Sequence, residues 1–93
     1  MTDSPEITFS LFVLSLSASA EIHLGQLPVP GTDKPAKVNL VEAGHLIAVI
    51  AMLKEKTEGN LEESEERLIE AVLYDLRLRY VEVAAAAKQA AQP

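Results

Sequence analysis

Two histidines and a run of glutamates stand out among the side chains of this 93-residue sequence that could hold a metal ion or move a proton. They are His23, His45 and the acidic stretch Glu62, Glu63, Glu65 and Glu66. Imidazoles and carboxylates bind zinc only where they converge, and hard cations usually take backbone carbonyls from a shaped loop as well. No such loop is evident in the sequence. We therefore expect the histidines to cap or pack against a helix and the glutamates to face solvent. The alternative function is that of a metal-binding protein or enzyme that uses His23, His45 and these glutamates.

Serine hydroxyls are the other candidate nucleophiles, because the sequence contains no cysteine. Ser10, Ser15, Ser17 and Ser19 lie in an apolar segment, and no G-x-S-x-G elbow accompanies them. No glycine-rich phosphate loop occurs either. We therefore expect no catalytic residue, no metal and no cofactor, and we predict a non-enzymatic function.

The charge balance argues against nucleic acid and membrane partners. Fourteen acidic and eight basic residues give a net charge of −6, whereas a nucleic-acid binder needs clustered bases to displace counterions. The uncharged segment 7–20 is shorter than the roughly 20 residues that cross a bilayer. The acidic residues before it do not resemble a secretory signal. We expect no membrane insertion and a cytoplasmic protein.

Glycine, proline and capping residues predict a single domain of three helices. The helices are expected at about 9–24, 40–57 and 61–90, with a loop rich in proline and glycine at 25–38. Residues 1–6 are predicted to be a flexible N-terminus and 7–84 the helical domain, followed by an alanine-rich tail at 85–93 that frays.

Capping residues mark the ends of the first helix and the start of the second. Thr8 or Ser4 is a candidate N-cap of the first helix, and Gly25 occupies the position expected of its C-terminal glycine. Asn39, followed three residues later by Glu42, predicts a capping box at the start of the second helix.

The first and third helices each carry two apolar faces. The second helix has one stripe, and the third has a main stripe that contains Ile69, Leu73 and Leu76. The additional faces consist of Leu11, Leu14, Ala18 and Ile22 on the first helix and of Tyr74, Leu78, Val81 and Ala85 on the third. One interpretation is a wide stripe with scattered surface leucines. The other, which the pattern favours, is a homodimer in which a second copy covers these faces.

The segment 73–80 combines tyrosine and arginine with apolar residues, a composition typical of binding hot spots. Part of it is simple helix support, because Asp75 and Arg79 are four residues apart. The residues predicted to contact a partner or a second copy are Tyr74, Arg77, Leu78, Tyr80, Val81, Leu11, Leu14 and Ile22.

Several short blocks between Ile7 and Glu82 carry a resemblance to a known family. They are Ile7-Thr8-Phe9-Ser10, Phe12-Val13, Ser15-Leu16, His23-Leu24-Gly25, Val38-Asn39-Leu40 and the longer blocks 53–61 and 73–81. With them the sequence resembles the small bacterial family named domain of unknown function 1844. The resemblance implies a short cytoplasmic helical protein with no assigned catalytic residues. It also implies a link to polarity control in gliding bacteria, through an adaptor that acts on a Ras-like small GTPase together with a response regulator.

Together these observations predict an all-α protein, a small three-helix bundle with a long C-terminal helix, which dimerises. The predicted function is that of an interaction or adaptor module. In the concrete form that the family resemblance implies, a helix face would dock beside the nucleotide site of a small GTPase and favour the open state, as any ligand with a differential affinity does.

Overall fold

Residues 7–34 and 36–91 are described by the computed structural model, and these residues form three α-helices. The helices are α1 (Phe9–His23), α2 (Leu40–Lys56) and α3 (Glu63–Ala91). The predicted all-α, three-helix fold class is confirmed. The third helix begins at Glu63 rather than at residue 61. The predicted flexible segment 1–6 lies outside the described residues, as do the last two residues of the predicted tail.

Both ends of α1 are closed by local hydrogen bonds. At its start, the Thr8 hydroxyl oxygen accepts a hydrogen bond from the Leu11 amide at 3.0 Å. At its end, the Gly25 amide donates to the Ile22 carbonyl and the Gln26 amide to the Glu21 carbonyl. This pair of bonds is a Schellman motif, which requires a left-handed residue, and Gly25 supplies it with a φ of 76°.

The start of α2 and the start of α3 each show one of the two hydrogen bonds that make up a capping box. The Asn39 side chain accepts from the Glu42 amide at 3.1 Å, but the Asn39 amide donates to the His23 carbonyl instead of the Glu42 side chain. The predicted reciprocal box at α2 is therefore half formed, because a backbone carbonyl from α1 has taken its second donor. At α3, Glu65 reaches back to accept from the Glu62 amide at 2.8 Å.

The core contains aliphatic side chains from all three helices. Nine of the described residues are buried, namely Val13, Ala20, Leu24, Ala43, Ile47, Ile50, Ile69, Leu73 and Leu76. They include members of the predicted stripes of α2 and α3, and no buried residue among those described is polar or charged. Burial of a large aliphatic side chain contributes about 1.5–3 kcal/mol, so a core of this size gives a small reserve of stability.

The long loop between α1 and α2 is tied at its base. The hydrogen bond between the Asn39 amide and the His23 carbonyl, 2.8 Å long, joins its two ends. Within the loop, the Val29 amide donates to the Lys34 carbonyl at 3.1 Å and closes a turn. Leu27 and Val29 remain exposed, so backbone hydrogen bonds hold this loop more than apolar burial does.

The third helix is much longer than the two helices against which it packs. Its 29 residues correspond to about 43 Å, against about 22 Å for the 15 residues of α1. Residues 85–91 are all exposed and still helical, and fraying of this tail stays a prediction. Within the described part of the chain, none of the helices combines the length and the apolar character needed to cross a bilayer.

Candidate interaction surfaces

The outer face of α3, which we define as Tyr74, Leu78, Val81 and Ala85, is exposed to solvent. The exposed fractions are 75% for Tyr74, 49% for Leu78 and 63% for Val81. These residues recur every three or four positions and so lie on one side of the helix, away from its buried stripe. Four neighbouring apolar side chains on one face form a continuous surface, which differs from singly scattered surface leucines.

A groove runs between α2 and α3 beside this outer face. It has a volume of about 730 Å³ and combines apolar side chains with both signs of charge. On one side it is lined by Ala51, Lys54 and Glu55 of α2 and by Glu58 of the following turn, and on the other by Glu70, Leu73, Tyr74, Arg77, Leu78 and Val81 of α3. The apolar side chains of the groove come mainly from α3, whereas the α2 side contributes one alanine and three charged residues. The groove has the apolar surface and the charged rim typical of a site that binds another polypeptide.

Tyr80 lies at the boundary between α2 and α3 and has a packing role. Its side chain is half-buried against the core and covers Gly44, where a Cβ atom would lie 3.5 Å from Tyr80 Cε2. A smaller cavity of about 200 Å³, lined by Gly44, Ile47, Arg77, Tyr80 and Val81, adjoins it. Sequence reasoning missed Gly44, although a glycine inside an otherwise regular helix is a recognised signal of close packing.

Replacing Gly44 by alanine is expected to stabilise the fold by about 0.5–1 kcal/mol, because glycine is a poor helix former and the new methyl group would make an ordinary contact with Tyr80. Urea denaturation followed by circular dichroism measures the change. The control is Ala48→Gly, which sits four residues later on the same helix, is exposed, and should destabilise by a similar amount. A loss of stability in Gly44→Ala would show that the tyrosine ring has no room to adjust.

The second apolar face of α1 forms a separate surface. Leu11 and Leu14 are exposed by 51% and 46%, whereas Ile22, near the end of the helix, is half-buried. None of the three lines the groove between α2 and α3. The structure therefore brings Tyr74, Arg77, Leu78 and Val81 together and leaves the α1 residues on a surface of their own.

Arg79 connects α3 to the loop and not to the groove. Its guanidinium donates to the Asp75 carboxylate at 2.9 Å and to the Gln26 side-chain oxygen at 3.1 Å. The hydrogen bond with Asp75 and the charge of that carboxylate, followed by the charges of Glu21 and Glu82, raise the pKa of Arg79 above its ordinary value. Because arginine is protonated throughout the physiological range, this arrangement orients the side chain and is no pH switch.

The histidines and the acidic start of α3 occupy three different places. His23 is the last residue of α1 and half-buried, and His45 is exposed on α2. At the start of α3, Glu63 pairs with Arg67. Within 7–34 and 36–91, no three His, Asp or Glu side chains are grouped closely enough to share a metal ion.

Comparison with protein families gives a match that spans most of the chain. The model of the family described as domain of unknown function (DUF1844) matches residues 6–82. This stretch includes α1, α2 and α3 as far as the outer-face residue Val81. The resemblance drawn from the sequence blocks is thereby confirmed. No curated protein and no solved structure gives a significant match.

Proposed function

We propose that this chain, which belongs to the family described as domain of unknown function 1844, is a non-enzymatic protein–protein interaction module that works as an adaptor in the bacterial cytoplasm. The proposal assigns its contacts to two surfaces. One is the outer face of α3 with the adjoining groove, and the other is the α1 face around Leu11 and Leu14.

The observation that carries this proposal is the exposure of contiguous apolar side chains on two helices of a small domain. Tyr74 and Val81 are more than half exposed, although each could have been a polar residue at no cost to the core. Exposed apolar patches of this kind mark contact sites in soluble proteins. Tyrosine and arginine, which meet here at Tyr74 and Arg77, are the residue types that contribute most to binding energy.

An adaptor needs separate surfaces for the proteins that it joins, and the arrangement of the helices supports this requirement. The groove is lined by α2 and α3 alone, whereas Leu11 and Leu14 belong to α1. The two surfaces can therefore be occupied at the same time. Following the family resemblance, we assign a Ras-like small GTPase or its response-regulator partner to the α1 face.

Site-specific photo-crosslinking tests the proposal. A photoreactive phenylalanine derivative placed in vivo at Leu14 or at Leu78 is expected to yield covalent protein adducts, because these side chains face a bound chain. The same residue at Val41, which is 80% exposed on α2 and lines neither cavity, is the control and should yield none.

Mass spectrometry of the adducts then identifies the class of partner. A small GTPase or a response regulator attached at Leu14 would support the specific role, and another protein there would replace that partner while leaving the adaptor function in place. An equal yield at Val41, or no adduct at Leu14 and Leu78, would contradict the proposal.

A further inference from the structure

We infer that the outer face of α3 binds a second copy of this chain, whose own α3 packs across it in the antiparallel direction. This inference rests on the proposed function, since it names the occupant of one of the two surfaces. It leaves the α1 face around Leu11 and Leu14 free for a different protein.

The spacing of the exposed residues is that of a coiled-coil seam. Ala71, Tyr74, Leu78, Val81 and Ala85 follow one another at intervals of three, four, three and four residues, and all five are exposed. A strict alternation of three and four is the a/d pattern by which one helix packs against another. A core-facing stripe is wider, and α3 already has one on its opposite side. The occupant of the outer face is therefore a helix.

The sizes of the side chains fit an antiparallel copy of the same helix. With the two-fold axis between Arg79 and Tyr80, Leu78 lies opposite the partner's Val81 and Tyr74 lies opposite the partner's Ala85. Each layer then combines a larger side chain with a smaller one, as close packing requires. A parallel pair would place two tyrosine rings in one layer and two alanines in another, and it would bring Lys88 against its own copy.

The alanine-rich C-terminal end of α3 also lies against the partner in this arrangement. The same register places Lys88 beside the partner's Ala71 and Glu70. Lys88 carries the single charged side chain of the sequence after Glu82, and Glu70 lies on the acidic first half of α3. The alanine-rich last turns of α3, which are largely exposed in one copy, would lie along α3 of the other copy. Lys88 would there lie beside Glu70, which carries the opposite charge.

The exposed surface of the chain is large enough for such a dimer. The chain exposes 6842 Å², whereas a compact monomer of 10.1 kDa exposes about 5,300 Å². The difference, about 1,500 Å², is distributed over the whole elongated chain and leaves room for the roughly 800 Å² that each partner buries in an interface of standard size. A second copy on the outer face would cover surface that a lone chain leaves in water.

Disulfide trapping tests whether a second copy binds the outer face and whether its α3 runs antiparallel. Because the sequence contains no cysteine, only the introduced thiols can form a disulfide. The variant with Tyr74→Cys and Ala85→Cys is expected to form a covalent dimer under mild oxidation. Positions 74 and 85 of one chain are about 16 Å apart along α3, too far for an internal disulfide, which needs a Cα separation of about 4.4–6.8 Å. Each single variant should stay monomeric on a non-reducing gel, and an equimolar mixture of the two should form the dimer.

A second pair of substitutions controls for the loss of the Tyr74 ring in the first pair. An equimolar mixture of Ala71→Cys and Lys88→Cys keeps Tyr74 and joins the next layer of the same register. Covalent dimers from Tyr74→Cys or Ala85→Cys alone would show a parallel pair and overturn the inferred direction. No covalent dimer from either pair, with a monomeric mass for the unmodified chain, would overturn the inference. The proposed function would survive that result if Leu14 or Leu78 still crosslinks to another protein.

Discussion

Replacing Leu76 by alanine is expected to remove a large fraction of the free energy of unfolding, about 2–5 kcal/mol. The Leu76 side chain is fully buried between the helices, and truncation of a buried leucine costs about 2–5 kcal/mol. A domain of this length has a total stability of only about 5–14 kcal/mol. With nine buried residues in the core, the neighbours have little freedom to fill the cavity. The measurement is urea denaturation, followed by circular dichroism.

The matched control for this variant lies two residues away on the same helix. Leu78→Ala removes the same atoms and changes helix propensity equally, but Leu78 is 49% exposed on the outer face. At a protein concentration low enough to keep the chain monomeric, it should cost less than about 1 kcal/mol. Equal losses for Leu76→Ala and Leu78→Ala would contradict the assignment of the buried and outer faces of α3.

The inferred dimer is expected to dissociate when Leu78 is replaced by glutamate and Tyr74 by alanine, while the helix content stays largely intact. The substitution puts a carboxylate in the middle of an apolar seam, where burial without a partner is costly, and removes the largest side chain of that seam. Neither residue belongs to the buried core, so the monomer should keep its fold. Sedimentation equilibrium gives the mass and circular dichroism the helix content.

Val41→Glu is the control for the added charge. It introduces the same carboxylate at a side chain that is 80% exposed on α2, and the mass should remain that of the dimer. If the double variant and the unmodified chain have the same mass at every concentration, the outer face of α3 does not mediate self-association. If Val41→Glu also yields a monomer, the effect belongs to net charge and not to this surface.

The parts of the fold that could be predicted from the sequence are those set by neighbouring residues. Gly25 and Asn39 mark helix ends because the hydrogen bonds that they organise span only a few residues. The three-residue and four-residue spacing around Leu73 and Leu76 likewise fixes which side of α3 is buried. For the same reason, the exposed position of Tyr74 and Leu78 follows from their angle on the helix.

The remaining features depend on residues that are distant in the sequence. The hydrogen bond from Arg79 to Gln26 joins positions 53 residues apart, and no local pattern indicates it. Phe12 lies on the same side of α1 as the core-packed Phe9 and Leu16 but is 46% exposed, because periodicity gives the angle of a side chain but not how far the neighbouring helices extend over it. The groove could not be predicted, because its lining depends on the position of α2 beside α3.

The hydrogen bond from the Asn39 amide to the His23 carbonyl closes the segment between them into a loop that is separate from the three helices. Because its two ends are already held together, the entropy of closing this segment depends only weakly on its length. Its tip at Gly31 is exposed and lies in neither cavity. A fluorophore, an affinity tag or a small inserted domain at this tip is expected to leave the three helices and both proposed contact surfaces undisturbed, so the tip is a suitable position for a label with which to follow the protein in living cells.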